Sequence, residues 1–116
     1  MAEPKVYAYF FTRQDMSGEQ QIVQTAHAAF KLGHIIGCVS DATRVNPDQT
    51  YFTVIGVRNL DALGAVMDIL DKFGFLYETF FEADIGGEPT SIALYPISEN
   101  DKGILQAFTL LTLPKK

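Results

Sequence analysis

Apolar and polar positions along this chain fall into blocks of two kinds. Val6-Tyr7-Ala8-Tyr9-Phe10-Phe11-Thr12 is an almost unbroken run of β-branched and aromatic residues. Such a run predicts a strand buried on both faces. After a polar connection from Arg13 to Gly18, Ser17 stands three residues before Gln20, the spacing of a capping box that starts a helix. In that helix Ile22, Val23, Ala26, Ala29, Phe30 and Gly33 recur at helical spacing and predict one inward apolar stripe. Gln20, Gln24, His27 and Lys31 fall on roughly the opposite side. The polar segment from Gly37 to Thr50 reads as a long surface connection. Phe52 to Val57 is a second strand. Asn59 caps a second helix with Leu63, Val66, Met67, Leu70 and Phe73 inward and Gly74 at its end. A strand around Leu76 to Glu82, a turn at Gly86-Gly87 and a strand around Thr90 to Pro96 predict an antiparallel hairpin. Ser98 caps a last helix whose inward residues would be Ile104, Leu105, Phe108 and Leu111.

The order is therefore β-α-β-α-β-β-α, with no repeat, linker or low-complexity tract. It predicts a single α/β domain over residues 1–116: a four-stranded mixed sheet, the first strand in its interior, helices on both faces. A chain of 116 residues with 47% hydrophobic content suits one core. No stretch approaches the ~20 apolar residues that span a bilayer, and no signal peptide is expected from Met1-Ala2-Glu3-Pro4-Lys5. Cys38 is the only cysteine, so no internal disulfide can form, and no Cys/His cluster has zinc spacing. Neither a metal nor a cofactor is expected, and a reducing, cytoplasmic setting is the default.

Net charge changes the picture more. The chain carries −5 at neutral pH, with a pI of about 4.8. Its nine Lys and Arg are scattered, apart from Lys115-Lys116. Nucleic-acid binders present a basic stripe that neutralises phosphates. The balance opposes tight binding of nucleic acid and of anionic membranes.

Two segments carry a resemblance. The first is Arg13-Gln14-Asp15-Met16 followed by Gln24-Thr25-Ala26-His27-Ala28-Ala29. The second is Glu82-Ala83-Asp84, then Gly87, then Thr90-Ser91-Ile92-Ala93-Leu94-Tyr95-Pro96. In this order they resemble the type-2 peptidyl-tRNA hydrolases, whose first strand ends in Arg-x-Asp and is followed by a helix with Gln-x-x-His-Ala. That family later has an Asp-Ala-Gly turn and a Thr-x-Leu-x-Ile-Gly-Pro strand. The element order agrees as well, so the resemblance spans roughly residues 5 to 113. The chain departs from the pattern at several points. Gln20 stands where the family carries a catalytic lysine, and the connection before the helix is shorter and has none of the family's lysines. Glu82 and Asp84 replace the Asp and Gly of the turn, and one threonine is missing from the shortened hairpin.

The resemblance implies hydrolysis of the ester between peptide and tRNA, which is acyl transfer to water. That reaction needs an activated water, a donor for the developing oxyanion and cationic groups for phosphates. His27 is the candidate base, Gln24 the candidate donor to a carbonyl oxygen, and Glu82 the candidate orienter of the imidazole. Thr90 is the family's retained threonine. Arg13, Gln20 and Lys31 are the candidate substrate contacts, Arg13 for a phosphate. Each has a plainer reading. His27 borders the apolar stripe and can simply pack, Gln20 is explained by capping, and Gln24 and Lys31 can solvate an exposed face. Arg13 and Asp15 can close a turn as an ion pair. Three functions stay open: a weakened or redirected hydrolase that binds tRNA or peptidyl-tRNA weakly, a non-catalytic module binding a small ligand, peptide or protein, and an ACT-like regulatory domain. A homodimer stays open, and the sequence does not fix the oligomeric state.

Overall fold

The computed structural model describes residues 6–38, 50–83 and 86–98. Their order is β1 (Val6–Arg13), α1 (Gly18–Cys38), β2 (Thr50–Val57), α2 (Leu60–Lys72), β3 (Tyr77–Glu82), β4 (Glu88–Leu94) and β5 (Ile97–Ser98). The expected last helix lies outside the described residues. The four long strands form one mixed sheet in the order β2-β1-β4-β3, and the two-residue β5 joins β1. β1 runs parallel to β2, with Val6 opposite Thr50 and Arg13 opposite Val57. It runs antiparallel to β4, and β3–β4 is an antiparallel hairpin.

β1 is interior because both of its faces are apolar, and every residue from Tyr7 to Arg13 is buried. Successive side chains of a strand point to opposite faces, so β1 seeds two cores. Tyr7, Tyr9 and Phe11 pack with Leu63, Val66 and Leu70 of α2, while Ala8 and Phe10 pack with Ala28 and Leu32 of α1. The two helices therefore cover opposite faces of the sheet. Asn59 caps α2 as its sequence predicts, its Oδ1 accepting from the Ala62 amide at 3.0 Å. Gly74 at φ 75° leaves the helix, and Gly86 and Gly87 turn the hairpin with φ near 77° and 76°, a conformation that only glycine adopts without strain.

Three expectations are corrected. The first is the orientation of α1. Ile22 is 72% exposed and Phe30 82% exposed, and Val23, Ala26 and Gly33 also face outward, with Ala29 half-buried. The buried face carries Gln24, Ala28 and Leu32, flanked by half-buried Gln21, Thr25 and Lys31. The reason is complementarity. Several polar groups on this face find hydrogen-bond partners on the sheet, so burying it leaves no donor or acceptor stranded. The second correction is the length of α1, which runs through Gly37 to Cys38 instead of yielding to a connection there. The third is Phe73, which sits at the C-cap of α2 with 57% exposure, one position beyond the inward stripe.

Candidate functional site

At the end of β1 the chain turns through Arg13 to Ser17 into α1. Arg13 is buried, and its guanidinium is spent inside the protein. Nε and Nη2 donate to the two oxygens of Asp15 at 2.9 and 2.7 Å. Nη1 donates to Glu88 Oε1 at 2.9 Å and to the Pro89 carbonyl at 3.2 Å. A planar fork held in this way on one carboxylate is the strong form of the ion pair. The hydrogen bonds to Asp15 hold the guanidinium even more firmly protonated than usual, and they push the Asp15 carboxyl below its ordinary range. Arg13 thus ties β1 to the start of β4, which leaves it poorly placed to serve as a phosphate ligand.

α1 begins with the reciprocal cap its sequence predicts. Ser17 Oγ accepts from the Gln20 amide, and Gln20 Oε1 accepts from the Ser17 amide, both at 3.1 Å. One turn later Gln24 reaches the sheet. Its Nε2 donates to Glu82 Oε2 at 2.8 Å, and its Oε1 accepts from Thr90 Oγ1 at 2.7 Å. Gln24 is only 5% exposed and Thr90 fully buried. The two bonds set which end of the amide faces which strand, since Glu82 can only accept when ionised and the Thr90 hydroxyl here donates. Gln24, Glu82, Thr90, Gln20, Arg13 and Asp15 line one polar cleft of about 360 Å³, together with Met16 and Glu88.

The structure brings Gln24, Glu82, Thr90, Gln20 and Arg13 together and does not bring His27 with them. The His27 ring lies flat on Phe80 of β3, centroids 4.6 Å apart and planes 19° apart. His27 is exposed and outside the cleft lining. The Glu82 oxygen nearest α1 is engaged by Gln24. Lys31, one turn beyond, donates from Nζ to the Thr79 carbonyl at 2.9 Å and so clamps α1 to β3.

Sequence reasoning passed over several contributors. Glu88 and Pro89 hold Arg13 from 75 and 76 positions away, a distance at which sequence gives no signal. A second polar line runs beneath α1. Thr25 Oγ1 donates to the Gln21 carbonyl at 2.8 Å, and Thr12 Oγ1 lies 2.6 Å from Thr25 Oγ1 and 2.8 Å from Ser91 Oγ. Each hydroxyl has one proton. Thr25 spends its proton on Gln21, so Thr12 donates to Thr25 and Ser91 donates to Thr12. The only sequence hint was Thr12, a polar residue closing an apolar strand opposite Thr25 on the following helix.

The formal charge of the cleft is one cation, Arg13, against three carboxylates, Asp15, Glu82 and Glu88. Chemically, the arrangement offers the second N–H of the Gln24 amide, which can donate to a carbonyl group, within a rim that repels phosphate. Among the described residues no group of three or more His, Cys, Asp and Glu is placed to hold a metal ion. No helix there is long and apolar enough to cross a membrane. No family model matches the chain, and no curated protein matches its sequence.

Proposed function

We propose that this chain is a peptidyl-tRNA hydrolase-like protein whose cleft keeps a carbonyl-recognition geometry and has lost most of its hydrolytic capacity. One observation carries the reading: Gln24 of α1, Glu82 of β3 and Thr90 of β4 meet on one cleft of about 360 Å³ through bonds of 2.8 and 2.7 Å. Gln24 and Thr90 are positions at which the chain resembles the type-2 family, Glu82 stands where that family has aspartate, and the three lie far apart in sequence. Hydrolysis of a peptidyl ester places negative charge on the carbonyl oxygen, and a preorganised donor there is commonly worth ~10²–10³ in rate. Gln24 can supply a hydrogen bond to that oxygen through its amide. Gln20, at the place of the family's lysine, supplies no positive charge, and its side-chain oxygen is used in the cap. Glu82, the carboxylate of the cleft that is hydrogen-bonded to Gln24, would activate the water.

A second reading, a non-catalytic module, is favoured by the acidic rim of the cleft. Asp15, Glu82 and Glu88 discourage a tRNA phosphate and suit a neutral or cationic amide-bearing ligand such as a peptide. Release of free tRNA from purified peptidyl-tRNA separates the two. The hydrolase reading expects slow turnover above the buffer rate that disappears in Gln24→Ala and persists in His27→Ala. Buffer-level rates for the natural chain and for Gln20→Lys would remove the hydrolase reading and leave the binding module.

A further inference from the structure

The sheet has two outer strands, β2 and β3, and they are built differently. β3 carries Glu78 and Glu82, its register with β4 shifts between Phe80 and Phe81, and Lys31 Nζ sits on its Thr79 carbonyl at 2.9 Å. Charges, lysines and bulges of this kind keep an outer strand from pairing with another chain. β2 has none of them. Thr50–Val57 holds no charged residue and no proline, and its register with β1 runs unbroken. The Val57 carbonyl accepts from the Gln14 amide at 2.7 Å, so it points toward β1. Backbone groups alternate in direction along a strand, so those of Phe52, Val54 and Gly56 point outward. Among the described residues no strand lies beyond them. On the α1 face of the sheet, Phe52 and Val54 join Phe10 as the floor of an apolar trough of about 630 Å³ walled by Ile22, Ala26 and Ala29. No charged residue lines it. Phe52 and Val54 are 62% and 58% exposed.

We propose that β2 is the interface with a second copy of this chain, paired β2 to β2, antiparallel, about a two-fold axis at Thr53. Closed two-fold dimers are the commonest assemblies of identical chains. This register sets Phe52 of each copy opposite the partner's Val54, and their outward N–H and C=O groups exchange the ladder bonds. A facing aromatic and β-branched pair is a favourable one. The axis is normal to the sheet, so both α1 helices stay on one side. The two troughs then merge into one apolar layer that holds the Phe52 and Val54 side chains of both copies. Charge selects the same surface. Each copy carries −5, so two copies approach best where neither presents a charge, and the glutamates of β3 exclude the other edge. Area sets the strength. The β2 edge with the exposed parts of Phe52, Val54 and Ile22 amounts to on the order of 500 Å² per copy, a full aromatic side chain alone supplying ~150–250 Å². The total of about 1,000 Å² is the lower bound of a specific interface, so the dimer is weak and forms with concentration. The polar cleft, on the β3–β4 flank of α1, stays open in it.

The test uses the full chain in sedimentation velocity and in disulfide cross-linking. The natural chain should pass from monomer toward dimer with a midpoint on the order of 10–100 μM. Val54→Lys, which puts a charge on the edge, should remain monomeric at ten times that concentration. Thr53→Cys in a Cys38→Ser background should form a disulfide-linked dimer in a glutathione buffer. In the proposed register the two sulfurs face each other across a non-hydrogen-bonded pair, whose Cα spacing of about 4.5 Å suits a disulfide. Its rate should exceed that of Asp68→Cys, exposed on α2, by at least about tenfold, because pairing holds the thiols at millimolar effective concentration. A natural chain that stays monomeric through 1 mM overturns the proposal. So does a dimer that survives Val54→Lys, checked as folded by circular dichroism, or a dimer in which Thr53→Cys links no faster than the reference. If Val54→Lys does not fold, sedimentation of the natural chain and the Thr53→Cys rate decide.

Discussion

Gln24 and Glu82, 58 positions apart, are joined by an Nε2–H···Oε2 bond of 2.8 Å that docks the first turns of α1 onto the end of β3. The same amide takes the Thr90 hydroxyl on its oxygen, so one side chain bridges a helix and two strands. An ionised acceptor makes the first bond the stronger of the two. Truncating Gln24 takes the shorter of two bonds from the buried Thr90 hydroxyl, which keeps 3.4 Å to the Phe80 carbonyl, and one donor from the half-buried Glu82 carboxylate. Losing partners of this kind costs about 1–3 kcal/mol. Gln24→Ala is therefore expected to lower unfolding free energy by about that amount in a urea titration. Thr90→Val should cost a comparable amount, and the double variant less than the sum of the two, since both break one bond. Full additivity would show that the bond contributes nothing.

The cap at Ser17 predicts a smaller effect with a definite asymmetry. Ser17→Ala removes the acceptor for the Gln20 amide and should cost about 1 kcal/mol. Gln20→Lys keeps that amide bond and loses only the return bond to the Ser17 amide, at an exposed site. It should cost about half as much. Thermal midpoints of the two variants, measured side by side, check the order.

Arg13 with Asp15 sets the acid limb of stability. The folded carboxyl of Asp15 is held below its ordinary range, chiefly by the Arg13 hydrogen bonds. A depressed folded pKa contributes stability that is fully present above the unfolded value, about 3.9, and is lost as pH falls through the folded value. Asp15→Asn should therefore be less stable than the natural chain at pH 6, and the gap should close below pH ~4. Tyr77 sets an alkaline counterpart. Burial, then its hydrogen bond to Asp71 at 2.8 Å, pushes its hydroxyl up to about 12. Its contribution is intact below the unfolded value of about 10 and is lost as pH rises toward 12. Tyr77→Phe should remove that alkaline slope. A gap for Asp15→Asn that does not narrow in acid would mean the pair is not formed.

The charge balance predicts weak association with bulk tRNA. With −5 overall and Arg13 committed to Asp15 and Glu88, few cations remain to displace counterions. A fluorescence titration at physiological salt should give a Kd weaker than about 1 μM with a shallow salt slope. Submicromolar binding with a steep slope would locate a basic surface elsewhere on the chain.

The elements of the fold were readable because their signals are local. An unbroken apolar run has only one stable location, the middle of a sheet covered on both faces, and β1 is found there. Asn59, the Ser17–Gln20 pair and the glycines at 74, 86 and 87 act on backbone within a few positions, so their caps and turns follow from spacing alone. Gln24, Glu82 and Thr90 could be picked as candidates from sequence, but their joining could not, because it depends on the β3–β4 hairpin meeting α1. Which face of α1 turns inward was decided in the same way. Its periodicity announced an amphipathic helix and favoured burying Ile22, Val23 and Phe30. The opposite face is the one whose groups the sheet can satisfy: Gln24 by Glu82 and Thr90, Thr25 by Thr12, and Lys31 by the Thr79 carbonyl. Hydrophobic burial is proportional to area and indifferent to direction, so a helix pattern identifies faces without choosing between them. Hydrogen bonds are directional, and apart from Thr12 on the preceding strand the residues that choose the face come from strands 48 to 66 positions further along the chain.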